Sequence, residues 1–202
     1  MRTIEAGTRL TLKNILLLTD FSEPSEVAIP YALALAREYE AKTYALHVLT
    51  PVALAYASPE SAAATIEGLE EGAQVEMERL DSQLSGVDHE TAIVRAESVW
   101  AGVAQVLADR EVDLLIVGTH GRTGALKLLL GSVAEEIFRR ASVPVLTIGP
   151  SVRKGLHSGG QFHRVMLATD FTPEAQAAAP YAISMAQEHQ AKLLLLHVKR
   201  NP

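Results

Sequence analysis

The sequence predicts an α/β fold: an open parallel sheet with helices on both faces, followed by a partial β-α-β copy of its own beginning. Three observations predict it. Short apolar strands alternate with helix-length segments through the first 149 residues. The most apolar strand, "DLLIVG" at 113–118, runs directly into a glycine-punctuated loop. Residues 164–198 also repeat residues 14–48 without gaps, agreeing at 15 of 35 positions, including Thr-Asp-Phe, Pro-Tyr and His-Val.

Each element has its own signal. "NILLLT" (14–19) is apolar without alternation, as in a strand covered on both faces. Ser22 offers an N-cap and Pro24 sits in the first turn of the following helix, which leads to a second strand, "TYALHVL" (43–49). Ser58-Pro59-Glu60 starts a helix running to about Leu84, with Ser85-Gly86 as its stop. "ETAIVRA" (90–96) alternates as a strand should, and Ser98 opens a helix through Ala108. After the 113–118 strand come a helix at roughly 132–141 and a fifth strand, "VPVLTIG" (143–149). Strands alternating with helices at this spacing imply parallel β-α-β units. Residues 150–163 lack periodicity and read as a linker between a complete domain (1–149) and a truncated one (164–202). The second copy predicts a strand at 164–169, a helix at 173–189 capped by Thr172, and a strand at 193–198.

Composition narrows the function. The chain of 202 residues is 48% apolar and 21% charged with a net charge of −6, and no basic run suggests nucleic acid as a partner. It contains no cysteine, which excludes disulfides, thiolate catalysis and cysteine-ligated zinc. No apolar run approaches the ~20 residues needed to span a bilayer, and the N-terminus lacks the apolar core of a signal peptide. A soluble cytoplasmic protein is the expectation.

The loop "GTHGRTGALKLLLGS" (118–132) carries the chemistry. It follows a buried strand and ends at a helix start, where open N–H groups and the helix dipole favour an anion. Gly118 and Gly121 would admit a ligand close to the backbone, and Gly131-Ser132 would return the chain to the same place. The loop matches neither the Walker A pattern nor the dinucleotide fingerprint. Ser132 to Glu135 also spells a capping box, so Ser132 has a purely structural reading as well. Arg122 and Lys127 could neutralise phosphate or simply be solvated, and His120 reads as a loop residue. Asp20 stands where the first strand ends, on the same sheet edge. It suits either a ribose hydroxyl or a helix-entry turn.

Together these residues resemble the universal stress protein (UspA-like) family. Gly118, Gly121, Gly131 and Ser132 reproduce its G-2x-G-9x-G-[ST] signature, and "ILLLTDFSE" and the "HV" closing the second strand are similar to its members. The resemblance covers residues 12–149 as a full domain, with a tandem-type but incomplete second one. It implies the strand order 3-2-1-4-5 and ATP as ligand, with Mg²⁺ held mainly through the phosphates. Asp20 would then meet the ribose or adenine side and the Val48 backbone the adenine edge. Gly118 would lie near the ribose, with Gly121, Gly131, Ser132 and the Val133 amide around the phosphates. It also implies homo-oligomers through strand 143–149.

Two functions compete: a nucleotide-dependent regulator of the stress response, and a weak ATPase or phosphotransferase using the same pocket. Phosphoryl transfer needs metal-holding groups and a positioned nucleophile. The sequence shows no second carboxylate in the loop and no Walker-B-like strand end, so dedicated catalysis is not expected. No catalytic residue and no protein metal ligand are assigned, and slow hydrolysis remains compatible with the sequence. The second copy keeps Asp170 and Val198 but has no counterpart of the phosphate loop. Its strand 164–169 is expected to have an open apolar edge, a second candidate for homo-oligomer contact.

Overall fold

The computed structural model describes residues 10–50, 59–119, 131–149 and 162–199. Contacts divide the chain into two units, Leu12–Leu156 and a unit that joins Met1–Thr11 to His157–Pro202.

In the first unit the elements follow in the order β1 (Asn14–Leu18), α1 (Glu23–Glu26), α2 (Ile29–Tyr39), β2 (Lys42–Leu49) and α3 (Pro59–Leu84). They continue as β3 (His89–Arg95), α4 (Val99–Asp109), β4 (Leu114–Gly118), α5 (Ser132–Arg140) and β5 (Val145–Ile148). The sheet runs β3-β2-β1-β4-β5 with every pairing parallel, the order that the resemblance implied. Central β1 explains its unbroken apolar run, since Ile15, Leu16 and Leu17 are all fully buried. Successive side chains alternate between the faces. Leu16 and Leu18 join Leu46 and Val48 of β2 in a core with Val103 of α4 and Ile137 of α5. Ile15 and Leu17 therefore point to the opposite face, where α2 packs on β1. Burying a side chain of this size contributes about 1.5–3 kcal/mol, so the middle of the sheet dominates the stability of the unit.

The helix expected after Ser22 is two helices. Ser22 does cap the first, accepting from the Ser25 amide. Pro30 then breaks the run, because it has no N–H and its ring would strike the Glu26 carbonyl one turn back. The chain restarts as α2 at Ile29. Pro180 does the same in the repeat, where the helix expected over 173–189 is split into α6 (Pro173–Ala177) and α7 (Ala179–Glu188). Thr172 caps α6, as its place before Pro173 predicts.

In the first unit the Thr43 hydroxyl of β2, on a fully buried residue, has no hydrogen-bond partner among the described residues. An unsatisfied buried hydroxyl costs on the order of 1–3 kcal/mol. Thr43→Val keeps the shape and removes the cost. It should raise the melting temperature by a few degrees in a calorimetric scan, roughly 2–4 °C for each kcal/mol in a chain of this size. A lower melting temperature would mean that the hydroxyl is satisfied.

The second unit is small. β6 (Arg164–Ala168) pairs in parallel with β7 (Lys192–Leu196), with Arg164 opposite Lys192 as Asn14 is opposite Lys42 in the first unit. Its α7 is tied to the start of the chain. The Leu10 amide donates to the Ser184 hydroxyl at 2.7 Å and to Glu188 Oε1 at 3.2 Å, and the Ser184 hydroxyl itself donates to Glu188 at 2.8 Å. Leu10 and Ser184 are both buried. The corresponding position of α2 is Ala34, which could not accept such a bond.

Candidate functional site

Three backbone events at the carboxyl ends of β1, β2 and β4 build the site. The first is the turn after β1. The Thr19 hydroxyl accepts from the Phe21 amide at 3.0 Å, and Asp20 Oδ1 accepts from the amide and hydroxyl of Ser22 at 3.1 and 2.5 Å. Phe21 is left in the left-handed region at φ 59°, a conformation that costs a non-glycine residue on the order of 1–3 kcal/mol. A stack offsets it: the Phe21 ring lies 4.4 Å from the ring of His47 on β2. His47 Nδ1 is 2.9 Å from the Thr19 carbonyl oxygen, which can only accept, so that nitrogen carries the proton. The side chains of Asp20 and Ser22 are thereby held on a fixed backbone.

The second event is the close approach of α1 to β4. A Cβ at Gly118 would lie 2.8 Å from the Pro24 carbonyl oxygen and 3.1 Å from the Ser25 Cα. The space beside Gly118 is thus filled by the chain's own backbone. Its glycine is required by packing, whatever else it adjoins.

The third is the return of the chain to α5. The Gly131 amide donates to the Thr119 carbonyl at 2.7 Å, while the Thr119 amide donates to Ile148 of β5 at 2.9 Å. Gly131 becomes the N-cap residue, extended at φ −59° and ψ 149°, and no side chain caps the helix. The capping-box reading of Ser132 is therefore wrong. The bond to Thr119 fixes the helix start one residue earlier, Ser132 is already helical, and Glu135 pairs with Arg139 instead of reaching back. The N–H groups of the first turn, at Ser132, Val133 and Ala134, have no intrahelical acceptor.

These three features meet around one cavity of about 280 Å³. Of the residues singled out from the sequence, Asp20, Val48, Gly118, Gly131, Ser132 and Val133 all line it. Gly121 lies outside the described residues, as do His120, Arg122 and Lys127. Thr19, Ser25, His47, Val99 and Thr119 line it as well, and were not foreseen as site residues. Thr19 and His47 had a signal in the sequence, since both recur in the repeat. Gly102 had none: a Cβ there would stand 2.9 Å from both γ-carbons of Val48, so this glycine lets α4 approach the cavity wall.

The turn recurs in the second unit. Asp170 accepts from the Thr172 amide and hydroxyl at 3.0 and 2.8 Å, Phe171 has φ 65°, and His197 Nδ1 lies 2.8 Å from the Thr169 carbonyl. The bonds from Thr172 hold the Asp170 carboxyl below its ordinary pKa. Val198 is 76% exposed there, whereas Val48 is 8% exposed.

Comparison with known proteins agrees with this architecture. The model of the universal stress protein family matches residues 11–149 and again 161–202. Universal stress protein MJ0531 of Methanocaldococcus jannaschii is 31% identical over 140 residues, 67% of this chain and 81% of the relative. A universal stress protein of Mycolicibacterium smegmatis is 27% identical over 188 residues; the match takes in 91% of this chain but spans only 63% of that relative's length. Among solved structures, MJ0577 of M. jannaschii superposes with a TM-score of 0.65 at 28% identity, over 71% of this chain and all of that one. A universal stress protein solved in complex with cAMP shares the fold at a TM-score of 0.53 and 20% identity, over 69% of this chain and 98% of its own.

Proposed function

The chain belongs to the universal stress protein family, and from that premise we propose that its first unit binds ATP and changes shape or partner preference with nucleotide occupancy in the stress response. One observation carries the reading: the open first turn of α5 faces a cavity whose other walls are Asp20 and Val48. A helix N-terminus favours phosphate, and a carboxylate at the switch point of an open parallel sheet suits a ribose. The protein that holds cAMP carries an adenine nucleotide on the same fold.

In this reading the Ser132 hydroxyl and the Ser132 and Val133 amides hold phosphate, with Gly121 and Gly131 beside them. Asp20 accepts from the ribose, Gly118 lies near it, and the Val48 backbone meets the adenine edge. Mg²⁺ would neutralise the phosphates on their outer side. Glu135 and Glu136, the carboxylates nearest Ser132 in sequence, pair with Arg139 and Arg140 and do not line the cavity. Binding rather than turnover is therefore the function proposed, in a cytoplasmic setting; among the described residues no helix is long and apolar enough to cross a membrane. Open-edged β5, beside the exposed Phe138 of α5, is the proposed contact between two copies of this unit.

Nucleotide extracted from freshly purified protein should be adenine nucleotide. At ATP-Mg²⁺ one hundred times its dissociation constant, linkage adds about 2.7 kcal/mol of stability. The melting temperature should rise by roughly 5–10 °C. No rise at millimolar ATP-Mg²⁺ and no co-purified nucleotide would reject the reading.

A further inference from the structure

We infer that the side chains of Thr19 and His47 end the β1–β2 ladder one rung early and so release the peptide groups of Val48 to select the base, a role that rests on the nucleotide site proposed above. Ladder geometry fixes which groups are concerned. In a parallel pair, each bonded residue donates to one partner residue and accepts from the residue two further along. Lys42 donates to the Lys13 carbonyl and Leu46 accepts from the Thr19 amide at 3.0 Å, so even-numbered residues of β2 turn their N–H and C=O toward β1. Odd-numbered ones turn toward β3: Thr43 donates to Asp88, and Leu49 accepts from Ala96. Val48 therefore faces β1. With Leu18 opposite Leu46, the next rung would join the Val48 amide to the Thr19 carbonyl, and the Phe21 amide to the Val48 carbonyl.

Neither bond forms, because a side chain takes each of Val48's would-be partners. His47 Nδ1 stands 2.9 Å from the Thr19 carbonyl oxygen, and the Phe21 amide donates to the Thr19 hydroxyl at 3.0 Å. Among the described residues no backbone bond joins Val48 to Thr19 or Phe21. Thr19, His47 and Val48 all line the cavity, and Val48 is nearly buried there. A buried peptide without a partner is costly, and a ligand in the cavity would supply one. Both diversions recur in the second unit. The Thr169 amide donates to Leu196, His197 Nδ1 lies 2.8 Å from the Thr169 carbonyl, and the Phe171 amide donates to the Thr169 hydroxyl at 2.9 Å. The device thus belongs to the Thr-Asp-Phe turn and its histidine, not to one cavity.

One donor beside one acceptor on a single residue selects the base chemistry. Adenine presents an acceptor ring nitrogen beside a donor amino group, which suits the N–H and C=O of Val48. Guanine carries a carbonyl oxygen where adenine has its amino group, and that would set two acceptors face to face. Thr19 and His47 are positioning residues in this scheme: they act on the base through the backbone of Val48.

Amide hydrogen exchange, followed by NMR on the full chain without nucleotide, tests the released rung directly. The Val48 amide should exchange at least tenfold faster than that of Leu46, one rung earlier. His47→Leu removes the donor and returns the Thr19 carbonyl to Val48, so the Val48 amide should slow at least tenfold. His47→Asn keeps an N–H near the Nδ1 position and should leave Val48 fast. Titration calorimetry should then find ATP-Mg²⁺ affinity at least tenfold weaker in His47→Leu, within threefold of wild type in His47→Asn, and the preference for ATP over GTP lost only in the former. Should His47→Leu not fold, Thr19→Val frees the Phe21 amide instead and should weaken ATP at least fivefold, while Thr19→Ser should not. A Val48 amide as protected as Leu46 in wild type, one that stays fast in His47→Leu, or equal ATP losses in the paired Leu and Asn or Val and Ser variants would each overturn the inference. The exchange measurement needs no ligand: a wild-type chain that binds no ATP rejects the proposed function, while the Val48 amide still decides the role of Thr19 and His47 in ending the ladder.

Discussion

Ser132→Pro should leave α5 folded and weaken ATP binding by roughly 10- to 100-fold, the loss of a charge-assisted hydrogen bond worth about 1.5–3 kcal/mol. Proline is favoured at the first helical position, where its missing N–H has no intrahelical role. Gly131 before it is already extended, as a residue preceding proline must be. The substitution therefore removes one backbone donor and one hydroxyl from the cavity without disturbing the helix. Ser132→Ala removes the hydroxyl alone and should lose less affinity. Titration calorimetry with ATP-Mg²⁺, alongside melting temperatures, separates the two contributions. Wild-type affinity in Ser132→Pro would place the phosphates away from this helix.

Gly118→Ala should cost about 3 kcal/mol, the upper end of the usual range for overpacking, and lower the melting temperature by roughly 6–12 °C. The new methyl would meet backbone atoms, the Pro24 carbonyl oxygen and the Ser25 Cα, and neither can turn aside as a side chain could. Urea denaturation without nucleotide measures this directly. Were Gly118 present only to admit a ligand, the nucleotide-free protein would be as stable as wild type.

The two glycines show where sequence reasoning stops. Gly118 stood out because it falls in a spaced pattern, and spacing does not say whether a ligand or the chain's own α1 fills the space. Gly102 belongs to no pattern, since its reason is the γ-carbons of Val48, a residue 54 positions away. Strand identities were legible because burial on both faces leaves an unbroken apolar run, as in "ILLL" and "LLIV". Boundaries were less so. Pro30 and Pro180 lie inside plausible helices, and only the carbonyl one turn earlier makes each a break. Ser132 is the most instructive case. Its capping box was sound as local chemistry, but a long-range bond from Gly131 to Thr119 set the helix start first. Asp20 was placed on the loop's sheet edge by its position at the end of the first strand and Val48 by resemblance, and topology brings both to one cavity with Gly131 and Ser132. His47 was visible only as half of a repeated dipeptide until its ring was seen against Phe21.

The bond from Leu10 to α7 imposes an order of events during synthesis. The donor amide is made first, and its acceptor, Ser184, is made 174 residues later. At about 5–20 residues per second, the start of the chain waits roughly ten to thirty-five seconds for its partner. Within that interval residues 12–156 are completed, and they can fold before α7 exists. Closing the second unit therefore follows synthesis of the first. A fusion or cleavage near Leu10 would act on that step while sparing the first unit already formed.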